Sequence, residues 1–297
     1  MRQVLLGLDI GTTSIKGVRL SRGLRGLRLL SVFEAPVPRH DAEGLSLPLL
    51  SAAQIGVLED LILEGRIKKN DLLALSLPGD CVSTREMILP FTDLKKIDQI
   101  VSYEVEGELP FDLETVTTDY MILSRPAAST LRNGASTRSQ AAGVTQKKET
   151  SLLVSAIPNK SLREYLDPLQ ALGLDPAWIG ISPLSLFSFA RNFLDLETAS
   201  ETEILVIDVG ASRTTLCHIL ARHLNWIRTI PFGGDSLTEA LVESKGLSWE
   251  AAEKRKSEVH LVMDDPADEN SITERETLES GIGRLVMEIE KSLRVFS

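Results

Sequence analysis

Residues 4–18 read Val4-Leu5-Leu6-Gly7-Leu8-Asp9-Ile10-Gly11-Thr12-Thr13-Ser14-Ile15-Lys16-Gly17-Val18. A short apolar run bounded by glycine and hydroxyl residues is typical of a buried strand that leads into a hairpin. Asp9 lies at the end of the first strand, and Gly11 allows the backbone to turn closely. Thr12, Thr13 and Ser14 add hydroxyl groups to the amides of the turn, which suits phosphate oxygens. Because Asp9 would repel a phosphate unless a cation lay between them, the pattern predicts a Mg-nucleotide as ligand.

The same pattern returns in the second half of the chain, which reads Ile204-Leu205-Val206-Ile207-Asp208-Val209-Gly210-Ala211-Ser212-Arg213-Thr214-Thr215-Leu216. In this copy Asp208 corresponds to Asp9, Gly210 to Gly11, and Ser212 to Thr13. Internal repetition predicts two similar lobes. One turn of this kind also occurs in ordinary hairpins, so the nucleotide prediction depends on the pair. Two such hairpins facing each other across a cleft would clamp one nucleotide and its metal ion.

The pair of turns resembles the two phosphate motifs of the actin-like ATPase superfamily. Two later stretches extend the resemblance. Residues 228–238 resemble the Gly-Gly-Asp turn that follows the second phosphate motif, and residues 252–256 resemble a helix whose acid and lysine flank the nucleoside. Within the superfamily, residues 88–113 and the Arg-x-Ile-Pro-x-Gly-Gly turn are most similar to the PilM family of type IV pilus assembly, which is related to GspL of type II secretion and to FtsA.

This resemblance implies an α/β protein with the actin-like ATPase fold, in which two ribonuclease-H-like lobes carry a small α+β insertion subdomain. A chain of 297 residues is also typical of two domains. We expect the first lobe at 1–80 and 179–200, the insertion subdomain at 81–178, and the second lobe at 201–297. The family continues with a strand and a turn over the adenine, which do not follow residue 297, so the second lobe is expected to be C-terminally incomplete.

The resemblance also implies ATP and Mg²⁺ as cofactors, with Asp9 and Asp208 holding the metal ion through water. The predicted nucleotide-binding residues are Gly11, Thr12, Thr13, Ser14, Gly210, Ala211, Ser212, Gly233, Gly234, Glu253 and Lys256. Many members of the superfamily carry an acid that orients the attacking water just before the proline of the crossing helix. Here the residue is Ser182, which has no carboxylate, so we expect at most a weak ATPase and predict no catalytic residue.

The predicted partners are a PilN-like membrane protein and the pilus motor components. In the PilM family the groove beside the insertion subdomain receives the N-terminal cytoplasmic peptide of PilN. A helix is predicted from Asp93 to about Leu109, and one face of it carries Leu94, Ile97, Val101 and Val105. This apolar stripe either contacts the peptide or packs on the sheet of its own subdomain.

Composition limits the other partners and the compartment. The net charge of −10 argues against nucleic-acid binding. No apolar run is long enough to span a bilayer and no signal-peptide pattern is present, so we expect a cytoplasmic protein that is peripheral to the inner membrane through its partners. Residues 124–150 are rich in Ser, Ala, Thr and Arg and are predicted to form a disordered loop. Cys81 and Cys217 are interpreted as small buried side chains.

Three further local predictions concern helix ends. Ser51 is expected to cap a helix over 52–64, Asp235 a helix that ends near Lys245, and Ser248 the next helix. The chain is then predicted to form an acidic loop over 260–270 and a last helix over 277–296. One side of this helix is apolar and carries Leu278, Ile282, Leu285, Ile289 and Leu293.

Other functions remain open at this stage. A GspL-like scaffold without nucleotide is favoured by Ser182 and by the absent adenine segment, and is disfavoured by the two retained acids. Sugar kinases also begin with Asp-x-Gly-Thr-Thr-Ser, but they need a substrate-activating aspartate, for which the sequence offers no convincing candidate. An FtsA-like filament is disfavoured because the sequence has no C-terminal amphipathic anchor.

Overall fold

The computed structural model describes residues 3–23, 26–39, 49–106, 112–124, 149–193, 203–258 and 269–296. The chain divides into two compact units, one formed by Met1–Asp80 with Arg163–Ser297 and the other by Cys81–Leu162. The elements are, in chain order, β1 (Val4–Ile10), β2 (Ser14–Gly23), β3 (Gly26–Pro36), α1 (Ala52–Leu63), β4 (Leu72–Leu77), β5 (Ser83–Leu89), α2 (Leu94–Glu106), β6 (Val116–Ser124), β7 (Thr150–Pro158), α3 (Asn159–Ala171), β8 (Pro176–Ile181), α4 (Ser182–Phe193), β9 (Glu203–Val209), β10 (Thr214–Leu220), β11 (His223–Ile230), α5 (Gly234–Lys245), α6 (Trp249–Glu258) and α7 (Glu269–Phe296).

The first sheet of the larger unit has the order β3-β2-β1-β4-β8. Strand β1 pairs antiparallel with β2 and parallel with β4, and β4 pairs parallel with β8. The carboxyl ends of β1, β4 and β8 therefore lie at one edge of the sheet, which is where ligands bind in open α/β sheets. Asp9 of β1 stands at this edge, and the turn Gly79–Cys81 follows β4 there.

Helix α1 begins as its sequence predicts. The Ser51 hydroxyl accepts from the amide of Gln54 at 3.2 Å, and the Gln54 side chain accepts from the amide of Ser51 at 2.7 Å. These reciprocal hydrogen bonds form a capping box, which satisfies two amides at the helix start. The predicted cap and helix are confirmed.

The second sheet of the larger unit is antiparallel and has the order β11-β10-β9. Leu216, Trp226 and Ile230 form its buried cluster, and Leu285, Ile289 and Leu293 of α7 pack against it. The C-terminal part of the predicted apolar stripe of the last helix therefore faces this sheet, whereas Leu278 of the same stripe packs with Leu241 of α5 and Ala252 of α6. The helix itself begins at Glu269, eight residues before the predicted start at Thr277. Residues 259–268 of the predicted acidic loop lie outside the described residues.

Cys217 of β10 is fully buried in the second sheet. This burial raises the pKa of its thiol to about 12, because the thiolate would lose its hydration. The interpretation of Cys217 as a small core side chain is confirmed, whereas Cys81 is only partly buried.

The smaller unit consists of the sheet β5-β7-β6 and α2. Its buried cluster joins Ile97, Val101 and Val105 of α2 to Met87, Leu89, Leu152 and Val154 of the sheet. Three residues of the predicted stripe of α2 thus pack on the sheet of its own unit, whereas the fourth, Leu94, is exposed. Residues 125–148 of the predicted loop lie outside the described residues. Among the described helices, none combines the length and the apolar character needed to cross a bilayer.

Gly17 provides a test of the packing in the first sheet. A Cβ atom at this position would lie 2.1 Å from the Phe33 ring, whereas one at Gly7 would have nothing within 4 Å. We predict that Gly17→Ala lowers the free energy of unfolding by about 1–3 kcal/mol, since the ring must leave its place on β2. Urea denaturation followed by circular dichroism measures the change. Gly7→Ala is the matched control, and an equal loss of stability in both variants would contradict the prediction.

Candidate functional site

The two repeated stretches form the same closed turn. After β1 the amide of Gly11 donates to the carbonyl of Ser14 at 3.0 Å, and after β9 the amide of Gly210 donates to the carbonyl of Arg213 at 2.8 Å. A Cβ atom would lie 2.8 Å from the Ser14 oxygen at Gly11 and 3.0 Å from the Arg213 oxygen at Gly210, so both positions favour glycine. The repeat in the sequence is therefore a repeat in backbone geometry.

Within the described ranges, the amides of residues 12, 13, 211 and 212 have no hydrogen-bond acceptor. Backbone amides without an acceptor are costly unless water or a ligand satisfies them. Successive amides in a tight turn make an anion-binding concavity, and phosphate oxygens fit such a place. The turns at residues 11–14 and 210–213 are named the first and second phosphate turns after this prediction, and their binding of phosphate stays a prediction.

The Gly-Gly turn between β11 and α5 packs directly on the second phosphate turn. The amide of Gly234 donates to the carbonyl of Gly210 at 3.0 Å, and the amide of Asp235 donates to the carbonyl of Ala211 at 2.7 Å. A Cβ atom at Gly233 would lie 2.4 Å from the Ala211 oxygen, so a side chain cannot be accommodated there. The two motifs that the sequence places 23 residues apart thus form one structure.

Glu253 and Lys256 of α6 lie beside this turn. The Lys256 ammonium donates to the Gly234 carbonyl at 3.1 Å, to the Thr238 hydroxyl at 2.9 Å and to the Glu253 carboxylate at 2.7 Å. An ammonium has three donors, and all three have protein acceptors here. In this structure the lysine therefore holds the Gly-Gly turn to α5 and α6.

The Glu253 carboxyl is ionised more readily than usual. Burial raises its pKa, but the hydrogen bonds from Lys256 and Thr238 and the charges of Lys256 and Arg39 outweigh burial, so the pKa is lowered. The influence of Arg39 is informative, because Arg39 follows β3 in the first lobe whereas Glu253 belongs to the second. The two lobes thus approach each other at α6.

The first phosphate turn is held from the other side by α1. The Gln54 amide group donates to the carbonyl of Gly11 at 2.8 Å, while its oxygen accepts from the amide of Ser51 in the capping box. Gln54 is buried. One side chain therefore fixes both the start of α1 and the backbone of the turn.

Asp9 and Asp208 stand at the ends of β1 and β9, immediately before the two turns. Desolvation raises the pKa of Asp9, Lys16 lowers it, and the charge of Asp208 raises it again, so that the pKa is raised overall. The two carboxylates therefore repel each other across the cleft. Mg²⁺ is commonly bound by one or two carboxylates together with phosphates, and this pair of acids fits such an ion. No group of three or more His, Cys, Asp or Glu side chains suited to a metal ion occurs in the described part of the chain.

Ser182 begins α4 at the carboxyl edge of the first sheet. Its hydroxyl donates to the carbonyl of Leu77 at 3.0 Å and so ties α4 to the end of β4. This contact is structural, and at most weak hydrolysis stays a prediction.

The structure also brings together charged residues that the sequence analysis missed. The Arg213 guanidinium lies 2.7 Å from the Asp80 carboxylate, and the Arg39 guanidinium lies 2.8 Å from that of Asp235. Arg39 also stacks 3.4 Å above the ring centroid of Trp249. Both ion pairs join the first lobe to the second, one at Arg213 of the second phosphate turn and the other at Asp235 of α5. Two features of the sequence could have suggested the first of these pairs. Arg213 is a cation within the second phosphate motif, and Asp80 is an acid just after β4.

The role predicted for Asp235 as a helix cap is wrong. Helix α5 begins at Gly234, and its N-terminal cap is Gly233, which has no side chain to accept a hydrogen bond. The carbonyls of the second phosphate turn satisfy the first amides instead, which leaves the Asp235 carboxylate for Arg39. The prediction for Ser248 is confirmed, because its hydroxyl accepts from the amide of Ala251 at 3.3 Å.

The sheet order and the paired phosphate turns define the actin-like ATPase fold. The model of a family described as type IV pilus assembly protein PilM matches residues 7–297. The chain belongs to this PilM family.

One solved structure has the same fold, and two others are more distant. A chain of the PilM-PilN type IV pilus biogenesis complex is 23% identical and matches with a TM-score of 0.74, covering 98% of this chain and 77% of that one. MreB5 of Spiroplasma citri bound to ADP is 12% identical, with a TM-score of 0.49 and coverage of 98% and 79%. The cytoplasmic domain of EpsL of Vibrio cholerae is 11% identical, with a TM-score of 0.44 and coverage of 83% and 76%. The first of these shows the fold, and the values for the other two are too low to add to it.

The raised pKa of Asp9 leads to a prediction about stability. The folded chain holds the Asp9 proton more tightly than the unfolded chain, so ionisation of Asp9 costs stability once the pH rises above the usual aspartate pKa of about 3.9. Asp9→Asn removes this cost. At pH 7 and without metal, the variant should unfold at a higher temperature than the natural chain, and the difference should shrink as the pH falls below about 4.

Differential scanning calorimetry over pH 3.5–8 measures this difference. Asp175→Asn, at the short connection before β8, is the control for a generic loss of charge. A variant that is less stable than the natural chain at pH 7 would contradict the prediction.

Proposed function

We propose that the chain is a nucleotide-binding scaffold of type IV pilus assembly, in which Mg-ATP binds between the two phosphate turns. The observation that carries the proposal is the matched pair of turns, each with two amides that lack an acceptor and each preceded by a carboxylate. Membership of the PilM family supports it. Asp9 and Asp208 would hold Mg²⁺ through water, and the ion would screen the acids from the phosphates.

The predicted binding residues divide into two groups on this proposal. Gly11, Thr12, Thr13, Ser14, Gly210, Ala211 and Ser212 would surround the phosphates. Gly233, Gly234, Glu253 and Lys256 would lie toward the nucleoside, with Lys256 acting through the Gly-Gly turn that it holds. Binding energy would favour the closed arrangement of the lobes, which is a shift between two populations.

Calorimetric titration with Mg-ATP tests the proposal. We predict saturable binding to the natural chain that is weakened at least about tenfold in Asp9→Asn and in Asp208→Asn, since each loses a charged partner of the metal ion. Glu239→Gln, at an exposed acid of α5, should bind as the natural chain does. Absence of binding to the folded natural chain would overturn the proposal and favour a GspL-like scaffold that works without nucleotide.

We further propose that the partner is the N-terminal cytoplasmic peptide of a PilN-like membrane protein, through which the chain would sit at the inner membrane and connect to the pilus motor components. The related structure is of a PilM-PilN complex. Ile97, Val101 and Val105 of α2 belong to the core of their own unit, so the peptide would need other apolar side chains. In the smaller unit Ile88 of β5 is 63% exposed and Tyr103 of α2 is 72% exposed.

Fluorescence anisotropy with a labelled peptide of this N-terminal sequence, taken from the same organism, tests the partner. We predict about tenfold weaker binding for Ile88→Ser or Tyr103→Ser, because a contact residue that loses its apolar side chain typically costs at least about 1.4 kcal/mol. Leu63→Ser, at a side chain of α1 that is 80% exposed, is the matched control. The assignment to the smaller unit would be wrong if Leu63→Ser weakened binding and the other two variants did not.

A further inference from the structure

Arg213 closes the second phosphate turn through its backbone and also carries a charged side chain. Its carbonyl closes the turn by accepting from Gly210, so its backbone belongs to the predicted phosphate site. Its guanidinium Nε lies 2.7 Å from each Asp80 carboxylate oxygen, and its Nη1 donates to the Ser212 hydroxyl at 3.1 Å. In the first turn the corresponding residue is Ser14, which carries no charge. The two turns therefore match in backbone but differ by one cation.

Asp80 approaches this cation from the other lobe. It follows β4, whose carboxyl end lies beside that of β1, and so it stands at the same edge of the first sheet as Asp9. The preceding Gly79 packs closely on the second lobe, because a Cβ atom there would lie 2.3 Å from the Thr229 hydroxyl oxygen. The backbone next to Asp80 is thus fixed, and the ion pair spans the cleft.

The ion pair is accessible to a ligand. The side chains of Arg213 and Asp80 are 31% and 32% exposed. A guanidinium is a planar fork that binds phosphate as well as carboxylate, and a terminal phosphate brings more negative charge than one carboxylate. The Arg213 side chain therefore has two possible partners in the cleft, one resident in the protein and one arriving with a nucleotide.

We propose that Arg213 selects nucleoside triphosphates, by exchanging Asp80 for the terminal phosphate of the bound Mg-nucleotide. This inference rests on the proposed nucleotide site. Asp80 then competes with the terminal phosphate for the guanidinium, and it holds the guanidinium in the cleft while no triphosphate is bound. A diphosphate lacks the terminal group and leaves the ion pair closed, so the state of this contact between the lobes reports whether a triphosphate is bound.

Opposite effects of two substitutions distinguish this exchange from a simple structural tie. Arg213→Gln should weaken Mg-ATP binding about tenfold or more, as expected for the loss of a charge-assisted contact, and should change Mg-ADP binding less than about threefold. Asp80→Asn frees the guanidinium and removes a like charge, so it should strengthen Mg-ATP binding severalfold. A gain in affinity cannot arise from misfolding, which keeps the test informative if Arg213→Gln is unstable.

The experiment is calorimetric titration of the full chain and its variants with Mg-ATP and with Mg-ADP. Arg39→Gln is the matched control, because it breaks the other ion pair between the lobes and should change both affinities by the same factor. Equal weakening of both nucleotides by Arg213→Gln, or weaker Mg-ATP binding in Asp80→Asn, would overturn the inference and leave the nucleotide site standing. Absence of binding of either nucleotide to the natural chain would overturn both.

Discussion

The constraint behind the candidate site is a buried carboxylate with a second acid near it. Asp9 lies near the end of β1 and Asp208 near the end of β9, and burial raises the pKa of Asp9, with a further contribution from the charge of Asp208. Two lobes that approach with like charges need positive charge between or beside them. Lys16 supplies part of it within the first lobe, and the ion pairs Arg213–Asp80 and Arg39–Asp235, each neutral as a pair, connect the lobes. A metal ion with its phosphates would complete this arrangement.

Each phosphate turn is held from behind by the helix of its own lobe. In the first lobe Gln54 of α1 binds the carbonyl of Gly11. In the second lobe the start of α5 donates two amides to the turn, and Lys256 of α6 holds the start of α5. Carbonyls of both turns thus accept hydrogen bonds from the neighbouring helices, whereas the amides at residues 12, 13, 211 and 212 are available to a ligand. The candidate site therefore lies on loops, but helices fix the position of those loops.

Much of this arrangement follows from local sequence patterns. The repeat of acid, glycine and hydroxyl residues predicts both turns, because the constraint on glycine acts within four residues. The capping box at Ser51 and the stripe of α7 are local in the same sense. The start of α7 was predicted eight residues too late, because the sequence before Thr277 has no pattern that marks the start clearly. Helix ends are the least reliable part of such predictions.

Contacts between distant residues could not be predicted in this way. Asp80 and Arg213 are 133 residues apart, and their pairing depends on how the lobes meet. Asp235 looks like a helix cap by its residue type, but the carbonyls of the second phosphate turn take that role once the turns pack together. Glu253 and Lys256 were correctly grouped with the Gly-Gly turn, whereas the three bonds of the lysine depend on tertiary packing. The sequence thus reveals the parts of the site and the structure reveals what holds them.

On the proposal above, the two turns bind one ligand together. Amide hydrogen exchange of the folded chain, with and without Mg-ATP, measures whether they do. We predict that peptides containing residues 11–14 and 210–213 become protected together at the same nucleotide concentration. Protection of only one turn, or of neither at saturating Mg-ATP, would contradict it.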